Sequence, residues 1–302
     1  MVDAAQLPSS RSLVCPAVAA YSSPLPSNTQ ATLIKGGFGF LEGPVWVAAQ
    51  GTLLFSDLDF ATSNDPLGPS VKLRRFRPPQ TFDVLVVNSG SNGLALANDG
   101  RVLAASHDVQ SLSLFDPATG QREVLDVRYQ GKHFNSPNDV AVRADGTVYF
   151  TDPDWQLGTR SSETGIRGVY RVEPNGNVSL IDGSLDQPNG VALSPDERTL
   201  YVGSHANDVV AYALAPDGSA GTRTRFASTG LSDGLSVDCA GNLYVSAATV
   251  QVFDPRGHKL GDIQVAEDPK NVAFGGPKQT TLYITAGAGL YAIELNVPGR
   301  CY

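Results

Sequence analysis

The chain has 302 residues, with 31 glycines, 20 prolines and a formal net charge of −8. That acidic excess argues against a nucleic-acid or anionic-membrane partner, both of which reward clustered Lys and Arg, and no run of about twenty apolar residues is present to cross a bilayer as a helix. Length alone is compatible with two ordinary domains or one large propeller or barrel, but short alternating runs of Val, Leu, Tyr, Phe and Thr without a helical period point to an all-β chain.

The first thirty residues are rich in Ser, Pro and Ala and lack both a basic stretch and a sustained apolar stretch. They do not read as an intact signal peptide; the expectation is an N-terminal arm over 1–30, or the start of a trimmed chain, ahead of a single domain over 31–302. From there the chain repeats itself. Residues 42–57, 92–107, 138–152, 189–205, 233–247 and 271–286 align: each opens with Asn, Asp or Glu, runs through a short apolar strand, turns at a Gly- or Asp-bearing site and returns as a second apolar strand. A period of forty to fifty residues built on hairpins is the mark of a propeller. Two more strands follow in most repeats, as at 168–173 and 177–181, so the predicted fold is a six-bladed β-propeller with four antiparallel strands per blade.

The sixth repeat has only residues 289–295 after its hairpin and is one strand short. The stretch 31–37 stands before the first hairpin without a blade of its own, and it resembles 178–184, the fourth strand of blade three. The N-terminal strand is therefore expected to complete blade six and leave no open seam. Such a closure brings both chain ends to blade six. A Cys15–Cys301 disulfide is then one expectation and two unpaired cysteines the other, with Cys239 a partly buried free thiol. Three cysteines without CxxC spacing do not suggest a zinc or thioredoxin-like site.

In an antiparallel hairpin, the residue that opens the first strand and the residue that ends the second share one sheet edge. If the first strands line the channel, Glu42, Asn92, Asn138, Asn189, Asp233 and Asn271 ring one mouth, and Asp57, His107, Asp152 and His205 form a second ring outside it. Asn and Asp often cap turns, and Asn-Gly or Asp-Gly is a generic turn signal; six oxygen-bearing side chains in register favour a cation site instead. Hard oxygen donors suit Ca²⁺ first, with Mg²⁺, Mn²⁺ or Zn²⁺ as alternatives. Asn92 and Asn271 are expected to be structural or to line the pocket. No GxSxG elbow, phosphate loop or dinucleotide fingerprint is present.

The motifs Leu41-Glu42-Gly43-Pro44-Val45-Trp46, Asn135-Ser136-Pro137-Asn138-Asp139-Val140, Phe150-Thr151-Asp152-Pro153, Gln187-Pro188-Asn189-Gly190 and Ser232-Asp233-Gly234-Leu235 give the chain a further reading. It resembles the gluconolactonases of the senescence-marker-protein-30 and luciferin-regenerating-enzyme group, related to diisopropyl-fluorophosphatase and the paraoxonases, over residues 31 to 295. The resemblance implies one divalent cation on Glu42, Asn138, Asn189 and Asp233, with Asp233 also the general base. It implies a lactonase acting on a sugar lactone or small aliphatic lactone; a phosphotriesterase-like or diverged secondary-metabolism enzyme on the same metal, and a non-catalytic binding scaffold, are the alternatives. Ser136 stands where animal relatives place a substrate-binding Arg, and His107-Asp108-Val109-Gln110 departs from the more basic, Asn-rich loop of related lactonases.

His205 and His107 are expected at the mouth as alternative proton carriers, Asp139 and Asp152 behind the ligands as orienting carboxylates, and Trp155 with the 161–165 loop over the pocket. The Asn177-Val178-Ser179 sequon and the expected disulfide lean slightly toward export, with the compartment otherwise open.

Overall fold

Hairpins dominate the computed structural model because each repeat pairs two β-rich runs through a turn a few residues long. The structure describes Cys15 and residues 23–300. Most of the expected 1–30 arm therefore lies outside the described residues. The chain starts with β1 (Thr32–Lys35) and then builds blade one from β2 (Phe40–Val47), β3 (Thr52–Asp59), β4 (Ser70–Arg77) and β5 (Thr81–Val86). Blade two comprises β6 (Ser91–Leu96), β7 (Val102–Ser106), β8 (Ser111–Phe115) and β9 (Arg122–Val124), and blade three β10 (Val140–Val142), β11 (Val148–Asp152), β12 (Gly168–Val172) and β13 (Val178–Asp182). Blade four comprises β14 (Pro188–Leu193), β15 (Thr199–Ser204), β16 (Asp208–Leu214) and β17 (Ala220–Ser228). Blade five follows with β18 (Leu235–Val237), β19 (Leu243–Ser246), β20 (Val250–Phe253) and β21 (Lys259–Ile263), and blade six with β22 (Pro269–Gly275), β23 (Thr281–Ala286) and β24 (Gly289–Glu294). The only helices among the described residues are two short 3₁₀ turns, and none is long and apolar enough to cross a membrane.

The fold is a six-bladed propeller of four-stranded sheets, as the repeats predict. Blade six has the order β1-β24-β23-β22, with Thr32 opposite Ala292 and Leu33 opposite Tyr291. The N-terminal strand is thus the outermost strand of the last blade. Packing closes the ring a second time. Six apolar clusters lie at the six joints between neighbouring blades; the last sets Tyr283 and Leu290 of blade six against Trp46 and Phe55 of blade one, with Trp46 and Tyr283 stacked at 5.7 Å. Inner strands are buried on both faces, as β14 is along its whole length, whereas the outer β17 is largely exposed.

The cysteines pair differently from the expectation. Cys15 is bonded to Cys239, with 5.4 Å between their Cα atoms; Cys239 is no free thiol, and Cys301 lies outside the described residues. The chain after β24 also departs from the expected course. It does not stay at blade six but crosses to the β18–β19 turn, where Asp238 bridges Gly299 and the Cys239 N–H donates to the Pro298 carbonyl at 2.8 Å. Cys15 thus fastens to blade five.

Candidate functional site

The residues that open the inner strands come together because the glycine that follows Glu42, Asn92, Asn189 and Asp233 lets neighbouring blades approach. At Gly190, an added Cβ would stand 2.2 Å from the Asp233 carbonyl oxygen, and the Gly190 N–H donates to that oxygen at 3.2 Å. At Gly43, which also has φ of +45°, an added Cβ would stand 2.2 Å from the Asn92 carbonyl oxygen. These Asn-Gly, Asp-Gly and Glu-Gly steps are therefore close contacts between blades rather than turns. The hairpin register slips at the same places, between Glu42 and Val45 and between Pro188 and Val191, and such bulges re-aim side chains at a sheet edge.

Hydroxyls on the second strands tie the ring together. Ser56 Oγ donates to the Asn92 carbonyl at 2.8 Å, and Thr151 Oγ1 to the Asn189 carbonyl at 2.5 Å, each reaching into the following blade. Thr285 Oγ1 does the same for Asn271 within its own blade, at 3.1 Å. These hydroxyls belong to no motif named above, although a Ser or Thr stands next to last in each of the six aligned repeats.

Four of the six opening residues, Glu42, Asn138, Asn189 and Asp233, line one cavity of about 570 Å³. Glu42, Asn138 and Asn189 are buried, while Asp233 is partly open to the cavity. Burial, then the charges of Asp233 and Asp139, hold the Glu42 carboxyl well above the usual carboxylate range. Burial lifts Asp233 to about 7, against the Lys270 charge and a hydrogen bond from Asn189. Two desolvated carboxylates with amide oxygens beside them suit a hard divalent cation: its charge would offset theirs, and the protein supplies oxygen donors only. Among the described residues, no group of three or more His, Cys, Asp or Glu side chains is clustered to hold a metal ion, so any cation here would also need the amide oxygens of Asn138 and Asn189.

The other two opening residues do not line this cavity. Asn92 is buried with its Oδ1 lacking a hydrogen-bond partner. Asn271 turns its Oδ1 to the Val272 N–H at 2.8 Å and borders a second, smaller cavity of about 130 Å³ among the inner strands, together with Asp139. Asp139 accepts from the Val140 and Val191 N–H groups at 2.9 and 3.0 Å. Burial pushes its carboxyl up to about 7 in spite of these bonds.

His107 is not at the mouth. It is fully buried, with Nε2 set 2.9 Å from the Pro69 carbonyl and burial pulling its pKa down, because the loop ahead of β4 folds over it. Asp152 is likewise fully buried, and it accepts from the Asn135 and Ser136 N–H groups at 2.8 Å each. It fastens the loop that leads to Asn138. Ser136 is held in this loop, donating to the Pro153 carbonyl at 2.7 Å. The 161–165 loop folds onto Asn135 through Ser162, away from the cavity.

His205 and Trp155 do line the cavity, with their rings 4.7 Å apart and inclined at 43°. Burial, and less strongly the Lys270 charge, pull the His205 pKa down against the Asp186 charge, which favours the neutral ring. The same wall holds residues that no motif announced. Phe40 and Phe60 pack edge to face at 5.0 Å, Lys270 Nζ stands over the Phe40 ring at 5.4 Å, and Phe60, Trp155 and Leu231 leave an exposed apolar rim.

Residues 40–288 match the family described as the SMP-30/gluconolactonase/LRE-like region. The chain belongs to this family. A gluconolactonase of Zymomonas mobilis is 33% identical over 307 residues, covering 90% of this chain and 83% of that protein. A pentonolactonase of Haloferax volcanii is 29% identical, covering 82% and 81% respectively. A solved gluconolactonase of Xanthomonas campestris matches with a TM-score of 0.78 at 33% identity, over 94% of this chain and 100% of its own. The matched region spans blade one to the β23–β24 turn of blade six, and so includes Glu42, Asn138, Asn189 and Asp233.

Proposed function

We propose that this member of the SMP-30/gluconolactonase/LRE-like family is a lactone hydrolase that uses a divalent cation, Ca²⁺ first, on Glu42, Asn138, Asn189 and Asp233. The observation that carries the reading is the convergence of these four oxygen-bearing side chains on one cavity. Relatives named gluconolactonase and pentonolactonase support the substrate class. A bound cation would supply Lewis acidity toward a carbonyl and neutralise the two carboxylates.

The chain's own residues would do the rest. Asp233, partly open to the cavity, takes a proton from water as the water oxygen bonds to the lactone carbonyl carbon. The carbonyl electron pair moves onto its oxygen. Collapse of this tetrahedral species breaks the ring C–O bond, and Asp233 returns the proton to the departing ring oxygen, giving the hydroxy acid. The Asn189 side chain, hydrogen-bonded to Asp233, orients the carboxylate. Glu42, more deeply buried, acts as ligand alone. Trp155, Phe40 and Phe60 supply flat apolar walls on which a lactone ring can rest, and His205 remains an alternative proton carrier.

The test is metal analysis of the purified protein, followed by assays on sugar and aliphatic lactones with and without chelator. Stoichiometric cation and chelator-sensitive turnover are expected. Undiminished turnover in the stripped protein would remove the cation from the reaction, and inertness toward every lactone would remove the substrate class.

A further inference from the structure

Among the described residues, Lys270 is the only Lys or Arg that lines the cavity. It sits at the start of β22, and its backbone is pinned beside Asp233: the Lys270 carbonyl accepts from the Gly234 N–H at 2.7 Å. Its Nζ lies against the face of Phe40, which fixes the direction of an otherwise flexible side chain. The ammonium makes no hydrogen bond or ion pair among the described residues, and Asp268, exposed at the same mouth, forms no ion pair with it. Its charge is nevertheless felt at Glu42, Asp233 and His205, so it acts on the space these three enclose.

We propose that Lys270 is a further catalytic residue, whose ammonium meets the lactone carbonyl oxygen as that oxygen becomes negative and then holds the product carboxylate. The inference rests on the lactone-hydrolase reading. Charge balance leads to it. Apart from Asp268, which is exposed at the mouth and screened by solvent, the charged side chains of the cavity are Glu42 and Asp233, whose two negative charges a divalent cation cancels, and Lys270, which then leaves the interior with one positive charge. The lactone is neutral, whereas the tetrahedral species carries one negative charge, as does the product once its newly formed carboxyl has lost its proton to solvent. An ammonium held in the cavity wall stabilises those two states over the substrate. Lys270 exchanges no proton in this step. It is a fixed counter-charge, while the water proton passes to Asp233 and on to the ring oxygen.

Lys270→Met and Lys270→Arg in the full chain, saturated with Ca²⁺, test this. For Lys270→Met, kcat on D-glucono-1,5-lactone is expected to fall by about 10²-fold with KM little changed, the pattern of a contact made in the transition state. Lys270→Arg should recover at least a tenth of the lost rate. Titration calorimetry should show gluconate binding weakened by about tenfold in Lys270→Met, while Ca²⁺ binds as tightly or more tightly, because a like charge has been removed.

An unchanged kcat, a loss confined to KM, or gluconate affinity equal to that of the parent would each overturn the proposal. So would a kcat loss that extra Ca²⁺ restores, since Lys270 would then only be arranging the cation site. A parent protein inert toward all lactones would bring down the lactone-hydrolase reading itself; a parent that turns over while Lys270→Met matches it brings down this inference alone.

Discussion

Glu42 and Asp233 open the inner strands of blades one and five and line one cavity; after burial, the Asp233 charge is the largest influence holding the Glu42 carboxyl above its usual range. The ring thus sets two carboxylates together without an ion-pair partner among the described residues, a state that a proton or a cation can relieve.

The first prediction concerns that competition. Asp139 and Asp233 titrate near 7 in the fold, and Glu42 is also raised, whereas in the unfolded chain carboxyls titrate near 4. The folded protein holds more protons between those values. Stability from these groups is therefore fully present below about pH 4 and is lost as pH rises through about 7. Calorimetry on the chelated protein should show this contribution as a Tm that falls between pH 5 and pH 8. Added Ca²⁺ should raise Tm most at pH 8 and progressively less toward pH 5; an increment independent of pH would place the cation away from these carboxylates.

Asp233→Asn keeps the size of the side chain and removes its charge. Turnover should drop by at least about 10³-fold through loss of the base and of one ligand. The chelated protein at pH 8 should melt no lower than the parent, since Glu42 is relieved of its neighbour's charge. Steady-state kinetics beside a melt measure both, and substantial residual kcat would take Asp233 out of the chemistry.

Gly190→Ala puts a methyl group 2.2 Å from the Asp233 carbonyl oxygen. Blades four and five would have to separate. The expected cost is about 2–4 kcal/mol of stability, in the range of overpacking within a tight core, together with weaker Ca²⁺ binding because Asn189 and Asp233 move apart. A denaturant titration and a Ca²⁺ titration check the two effects, and a variant with unchanged melting would mean that the joint has slack.

Cys239→Ser opens the cross-link to Cys15, which closes a loop with a sequence separation of 224. On chain-entropy grounds its removal costs about 5 kcal/mol. Cys239 lies in the turn at the far end of β18 from Asp233, about 20 Å away at the usual strand rise. Tm should fall while kcat/KM holds at temperatures where the variant is folded. An equal loss of activity would show that the cross-link shapes the site.

Trp155→Ala removes the ring that leans against His205 and a wall of the cavity. KM should rise by about tenfold with Ca²⁺ affinity unchanged, as a lactone panel would measure. A change in metal binding instead would mean that Trp155 supports the ligands.

Much of this molecule was legible before folding, because hairpins are local. Strand alternation and short turns repeat within forty to fifty residues, so six blades, the completion of blade six by β1 and the alignment of Glu42, Asn92, Asn138, Asn189, Asp233 and Asn271 at one mouth could all be read along the chain. Contacts between blades could not. Asn92 and Asn271 share the alignment of the other four yet do not line the cavity, Asn271 because its side chain binds the Val272 N–H. His107 reads as a rim residue until the loop at Pro69 covers it. Lys270 belongs to no motif, and enters the site only because blades five and six meet through Gly234. Cys15 meets Cys239 across a sequence separation of 224. Sequence by itself determined the repeats and the ring, which depend on neighbours a few residues apart. Tertiary structure decided which members of the ring share the cavity and what stands beside them, since those contacts join residues whose separation along the chain carries no trace of their meeting.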